Sequence, residues 1–314
     1  MMDAAWAHAD EKLIKGLKEF QHSELSGAPF DRNVLFYPFS GPDALTATLV
    51  FPQSPTYDLV ALEPAGSLPT LPELDKKISG GFLAGIRETV ASELGKSFFV
   101  TREMDRQFRG QITDGLLVPV LMLLVHTDHT VLGFKYVRLD EKGQIVDRPG
   151  NAKVDAKYAN KGFVVEFRTD ADKSLHRMYY ISLNLDDNHL KGNAGFQQYV
   201  NTMPTHTTLL KATSYMTHHD EFSIIRGMVV DHSAAVFQDD SGVPYHFFES
   251  GKWTVQLYGE YTKPYGSFAW LEQADLRKAY QAPGVKPLTL RLGYGFGKVT
   301  SNLLLAKRTT PVTP

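Results

Sequence analysis

The chain has 314 residues, 43% of them hydrophobic and 22% charged, a composition that fits a folded globular protein and argues against disorder. The formal net charge is −2 and no basic block stands out, so a dedicated nucleic-acid-binding protein is not expected. There is no cysteine, which removes disulfides, thiolate nucleophiles, iron–sulfur clusters and Cys-ligated zinc together.

The opening residues, MMDAAWAHADEKLIKGL, are charged and contain no apolar core, so they do not read as a signal peptide. The longest apolar run, residues 116–125, is shorter than the ~20 residues that a membrane span needs. Residues 3–24 carry Leu13, Leu17 and Phe20 at helical spacing and read as an amphipathic packing helix. Residues 33–66, NVLFYPFSGPDALTATLVFPQSPTYDLVALEPAG, read as strand, turn, short helix, strand. Residues 33–37 are apolar and aromatic, Ser40-Gly41-Pro42-Asp43 is a turn that opens a helix, 44–51 is the crossover, and 57–62 is a second buried strand ending on Glu63. Such a βαβ unit has parallel strands.

Further along, Thr70 and Glu73 form a capping box ahead of a helix over 74–94, followed by a short strand at 97–101 and a helix at 102–111. Residues 116–125 fit a helix or a buried strand equally. Residues 131–139 alternate and read as a strand, 144–160 as a polar loop, and 162–169 with 176–185 as an antiparallel hairpin. A short helix is expected at 196–203, then a third core strand at 207–216 closed by His218-His219-Asp220, with Asp220 capping the helix that follows. A fourth core strand, 234–238, is closed by Asp239-Asp240-Ser241-Gly242. Residues 254–261, 287–293 and 302–307 read as strands and 271–280 as a helix.

These elements imply an α/β fold in one domain, 1–314. The expected core is a Rossmann-like, mainly parallel central sheet with helices on both faces. An inserted antiparallel hairpin region spans 140–190, and the middle and C-terminal strands read as antiparallel.

Four core strands end on polar residues, and in open α/β sheets ligands sit at the carboxyl ends of strands, where the strand order reverses. A small-molecule site is therefore expected along that edge, lined by Ser40, Gly41, Asp43, Glu63, His218, Asp220, Asp239 and Asp240. Ser40, Gly41, Asp43 and Glu63 are the cofactor-binding candidates. A helix start gathers N–H groups toward an anion, and Glu63 lies 22 residues after Gly41, near the offset at which an acid binds a ribose in dinucleotide sites. Asp239, Asp240 and His218 are the catalytic candidates, two carboxylates near an imidazole for general acid–base work.

The same residues have plainer explanations. Ser40 and Asp43 fit the S-x-x-[DE] capping pattern, and Asp239-Asp240-Ser241-Gly242 is ordinary turn chemistry. The G-x-G-x-x-G turn is absent, with Gly41 alone in its place. His218, His219 and Asp220 with Asp239 or Asp240 offer imidazole and carboxylate ligands for Zn, Mn or Fe, but capping and solvated histidines are the favoured explanation and no metal is assigned. His126 and His129 lack the i, i+4 spacing of helical zinc motifs, and neither a nucleophile elbow, a Walker loop nor H-E-x-x-H is present. Gly293-Tyr294-Gly295-Phe296-Gly297-Lys298 lies between two strand candidates and reads as a hairpin or bulge. Tyr258, Tyr261, Tyr265, Phe268 and Trp270 read as an aromatic packing cluster.

The layout of 33–63 is similar, over about thirty residues, to the cofactor site of Rossmann-like class I methyltransferases, which implies S-adenosylmethionine or a nucleotide as cofactor. YPFSGPD (37–43), ALEPAG (61–66), QDDSGVPY (238–245) and LGYGFGKVTSNLLLAKR (292–308) resemble a family of uncharacterised bacterial proteins, many of them exported. That resemblance covers most of the chain, implies a periplasmic or exported location with the signal removed, and brings no activity with it. Three functions follow: a small-molecule binder or enzyme at the sheet's carboxyl edge, of which a degenerate methyltransferase-like site is one form; a metal-dependent hydrolase using the His and Asp residues; and a non-catalytic cell-envelope binding or scaffolding protein.

Overall fold

The computed structural model describes residues 6–7, 9–68, 94, 97–98, 115–148, 160–170, 173–295 and 300–310. Ten strands form one sheet in the order β4-β3-β5-β6-β2-β1-β7-β8-β10-β9. They are β1 (Val34–Pro38), β2 (Thr56–Ala61), β3 (His129–Leu139), β4 (Ile145–Asp147), β5 (Lys161–Thr169), β6 (Leu175–Ser182), β7 (His206–Leu210), β8 (Ser233–Gln238), β9 (Trp253–Gly259) and β10 (Asn302–Arg308).

The five central strands, β6-β2-β1-β7-β8, are parallel. The four expected core strands therefore do run side by side in one direction. All four are buried along nearly their whole length because both of their faces are covered. Leu35 and Tyr37 of β1 enter one hydrophobic cluster, and Phe36 between them enters the other.

The expectation of a mainly parallel, Rossmann-like sheet is overturned. Of the nine strand pairings four are parallel and five are antiparallel. Antiparallel strands β3, β4 and β5 extend one side of the core, and β10 and β9 extend the other. Connection length decides much of this. Only residues 170–174 link β5 to β6, whereas a parallel pair needs a crossover of a dozen or more residues.

Among the described residues the helices are α1 (Lys15–Phe20), α2 (Ala44–Val50), α3 (Leu117–His126), α4 (Asp187–Leu190), α5 (Ala194–Asn201), α6 (Ser223–His232) and α7 (Ala274–Tyr280). Single π-helical stretches, Asp10–Ile14 and Gln21–Leu25, flank α1. Helix α2 packs against α1 and α3 on one face of the sheet, and α6 packs against α4 and α5 on the other. Residues 116–125 resolve as helix, with Pro119 in the first turn, where its missing N–H breaks no intrahelical bond. No described helix is long and apolar enough to cross a membrane.

Three local expectations are corrected. The third core strand ends at Leu210, not at 216, because Ala212, Ser214 and Tyr215 have φ of 51°, 54° and 56°, outside strand geometry. Asp220 does not cap α6. The carboxylate of Asp187 takes the Ile224 N–H (2.9 Å) and the Ser223 hydroxyl (2.6 Å) instead. Residues 287–293 form no strand; just before them Lys286 makes an isolated bridge to Tyr258 of β9. The capping box at Thr70 and Glu73, the helix over 74–94 apart from Leu94, the strand at 97–101 beyond Ser97 and Phe98, and the helix at 102–111 lie outside the described residues.

Candidate functional site

Chain direction creates the site. From β1 the chain crosses through α2 to β2 on one side, and from β7 it crosses through α6 to β8 on the other. The order therefore reverses between β1 and β7, and their carboxyl ends form a rim where loops diverge. Into that rim project the turn 39–43 after β1, Glu63 after β2, residues 211–218 after β7 and residues 239–242 after β8.

Asp43 is the N-cap of α2. Its Oδ1 accepts the Thr46 N–H at 2.9 Å, and its Oδ2 accepts the Tyr37 hydroxyl at 2.8 Å. The Lys211 ammonium lies 2.6 Å from the same Oδ2 and donates to Thr46 Oγ1 at 3.0 Å. Both charged side chains are almost wholly buried, with 1% and 2% of their surface exposed. Lys211 sits immediately after β7, so this ion pair stitches together the two strands between which the sheet order reverses.

One residue on, the Ala212 N–H donates to Asp239 Oδ2 at 2.9 Å, while Asp239 Oδ1 accepts the Ser241 hydroxyl (2.5 Å) and N–H (3.0 Å). Burial, and then the adjacent charge of Asp240, push the Asp239 carboxyl up to about 7. Gly293, at φ +54°, closes over this point: a Cβ there would lie 2.6 Å from Asp239 Oδ2 and 3.2 Å from Lys211 Cγ.

Asp240 makes bonds of its own. Its Oδ2 accepts the Tyr215 hydroxyl at 2.6 Å and its Oδ1 the Asn302 amide at 2.9 Å. The Tyr215 oxygen also accepts the Tyr265 N–H at 3.0 Å, tying the loop after β9 to the rim. Tyr294 stacks on Tyr265 at 4.8 Å and lies nearly parallel to Tyr215 at 6.1 Å. Tyr215→Phe should lower stability by about 1–3 kcal/mol, because it leaves the Tyr265 N–H and one Asp240 oxygen without that partner. A urea titration checks this, the midpoint falling at unchanged slope.

The backbone is unusual here. Phe39 (φ 61°), Ala212, Ser214 and Tyr215 are non-glycine residues in the left-handed region, all in the loops that follow β1 and β7. Such conformations cost about 1–3 kcal/mol each and gather where a site holds its side chains in place.

The predicted residues distribute as follows. Ser40, Gly41, Asp43, Glu63, Asp239 and Asp240 all lie at the carboxyl ends of the parallel core. His218 joins them through Tyr215, whose ring it meets edge-on at 5.2 Å. Burial lowers His218 to about 4, and among the described residues its Nε2 has no hydrogen-bond partner. Asp220 lies apart, fully exposed and 4.0 Å from Arg226. His219 turns to the exposed Trp270, 5.6 Å between rings. Lys211, Tyr37, Tyr215, Asn302 and Tyr294 belong to the site and were missed. The one local signal was Lys211, a lysine directly after the two leucines that end β7.

The cofactor reading fits poorly. The start of α2, where a phosphate would sit, is filled by the Asp43 carboxylate, and a buried anion there disfavours a second. The Ser40 hydroxyl donates to the Gly41 carbonyl at 3.0 Å, and the Glu63 residue is buried, its backbone carbonyl accepting the Tyr180 hydroxyl at 2.6 Å. Nor, among the described residues, do three His, Asp or Glu side chains converge as metal ligands. The described cavity beside Asp239 and Asp240, bounded also by Gln273, Tyr280 and Asn302, is about 10 Å³, room for one water. Comparison with protein-family models, with curated proteins and with solved structures finds no match for this chain.

Proposed function

We propose that the protein binds a small polar molecule at the rim between β1 and β7, with Asp239 as the group there suited to acid–base chemistry. The observation that carries this reading is the Asp239–Asp240 pair: two adjacent buried carboxyls, one of them poised near neutrality, at the carboxyl end of β8, the strand beside β7. The left-handed residues around it support the same reading. The S-adenosylmethionine or nucleotide version has the filled start of α2 against it, and a metal-dependent hydrolase lacks a converging ligand set among the described residues.

A thermal-shift panel of sugars, amino acids, nucleotides, S-adenosyl compounds and divalent metals tests the proposal. At least one organic compound should raise the melting temperature in the native protein and fail to do so in Asp239→Asn. A flat response across the panel sinks it.

One observation favours a second reading, a non-catalytic binding or scaffolding protein of the cell envelope. Asp43, Asp239 and Asp240 are already satisfied by the protein's own donors, as in a polar core that fixes a fold. A flat ligand panel would leave this reading standing.

A further inference from the structure

At the opposite end of the parallel core, the turn between β5 and β6 holds a second chemical arrangement. Ser174 precedes β6, and its hydroxyl oxygen lies 2.6 Å from His176 Nε2. The other ring nitrogen, Nδ1, lies 2.7 Å from the Ser54 carbonyl oxygen. A carbonyl only accepts, so Nδ1 carries a proton; in the neutral imidazole Nε2 then presents its lone pair and the Ser174 hydroxyl is the donor.

The imidazole is held firmly. His176 is 3% exposed, its ring stacks on Phe167 at 5.4 Å and 22°, and Tyr57 lies 6.1 Å away on β2. Ser174 is half-buried. Lys173, just before it, is left-handed at φ 60°. A nucleophile in hydrogen-bond reach of a base, with that base oriented by a third group, is the geometry by which a serine hydroxyl is activated.

We propose that Ser174 is a nucleophile activated by His176, with the Ser54 carbonyl as the orienting group, and that it accepts acyl groups from activated carboxylic esters. Ser174 Oγ bonds to the acyl carbon as its proton passes to His176 Nε2. The ester C–O bond breaks, and the departing oxygen takes that proton. Water then adds to the acyl carbon and gives a proton to Nε2. The bond between acyl carbon and Ser174 Oγ breaks, the proton returns to Oγ, and a carboxylic acid leaves. A serine that only satisfies a buried imidazole would make the same hydrogen bond and show ordinary reactivity, so reactivity separates the two roles.

The test is covalent labelling of the full chain with a fluorophosphonate, read by peptide mass mapping. One adduct is expected, on Ser174, forming about 10²-fold faster than on any other serine, as general-base assistance provides. It should vanish in Ser174→Ala with the circular dichroism spectrum unchanged. The chain has no cysteine, so Ser174→Cys installs a lone thiol beside the same imidazole. Iodoacetamide should alkylate that thiol at least about 10-fold faster than the thiol of Ser250→Cys, an exposed control site. An unlabelled Ser174 in the folded protein, or equal alkylation rates for the two thiols, overturns the proposal. Neither result bears on ligand binding at the carboxyl rim.

Discussion

Lys211→Ala should destabilise the protein by about 3–5 kcal/mol, because it strands the Asp43 carboxylate in the core. The Asp43–Lys211 pair is 2.6 Å apart and all but closed to water, so neither charge recovers its hydration when the other is removed. Asp43→Ala should cost at least as much, since it also removes the cap on the Thr46 N–H and the acceptor for the Tyr37 hydroxyl. The double change Asp43→Ala with Lys211→Ala should cost less than the sum of the two single changes, as neither charge is then left unpaired. Urea titrations of the four proteins close this cycle. A Lys211→Ala protein within about 1 kcal/mol of the native one would show that the pair does not hold β1 and β7 together.

How much of this was readable beforehand depended on the range of the interactions. The neighbours β1, β2 and β8 were legible because strands covered on both faces are mostly apolar, as VLFYP, TYDLVA with its single Asp58, and SAAVFQ are; β7, HTTLL, was read from its Leu209-Leu210 end. The edges were not. Strand β10 pairs with β8 and β9 across long separations, and no local pattern records which edge it joins. The end of β7 was misread because ATSYM contains neither glycine nor proline, so the turn is imposed by tertiary bonds: Lys211 to Asp43, Ala212 to Asp239 and Tyr215 to Asp240. The closures after β1, β2 and β8 do lie at the carboxyl ends of the parallel core while Asp220 does not join them; their partners lie on other segments, and burial, which sets the chemistry of Asp239, is invisible in a string of letters.

Asp58 supplies the second large effect, and its direction is counterintuitive. It is the one charge within TYDLVA, 4% exposed, and it accepts the Tyr199 hydroxyl at 2.7 Å from α5, 141 residues away. Tyr179 on the neighbouring strand β6 faces it in register, and no cation is among the groups that set its ionisation. Burial pushes its carboxyl from 3.8 to about 7, with the Tyr199 bond offsetting part of that rise. A carboxyl held above its unfolded value keeps its proton more tightly in the folded state. Its stability contribution is therefore complete below pH 3.8 and is lost as pH climbs through about 7. The full span corresponds to about 4 kcal/mol. Asp58→Asn removes the ionisation and keeps an oxygen for Tyr199, so it should match the native protein within about 1 kcal/mol near pH 4 and exceed it by up to about 4 kcal/mol at pH 8. Denaturant titrations of both proteins across that range settle the matter. Parallel pH profiles would mean that Asp58 is ionised in the fold, with its charge met by a group outside the described residues.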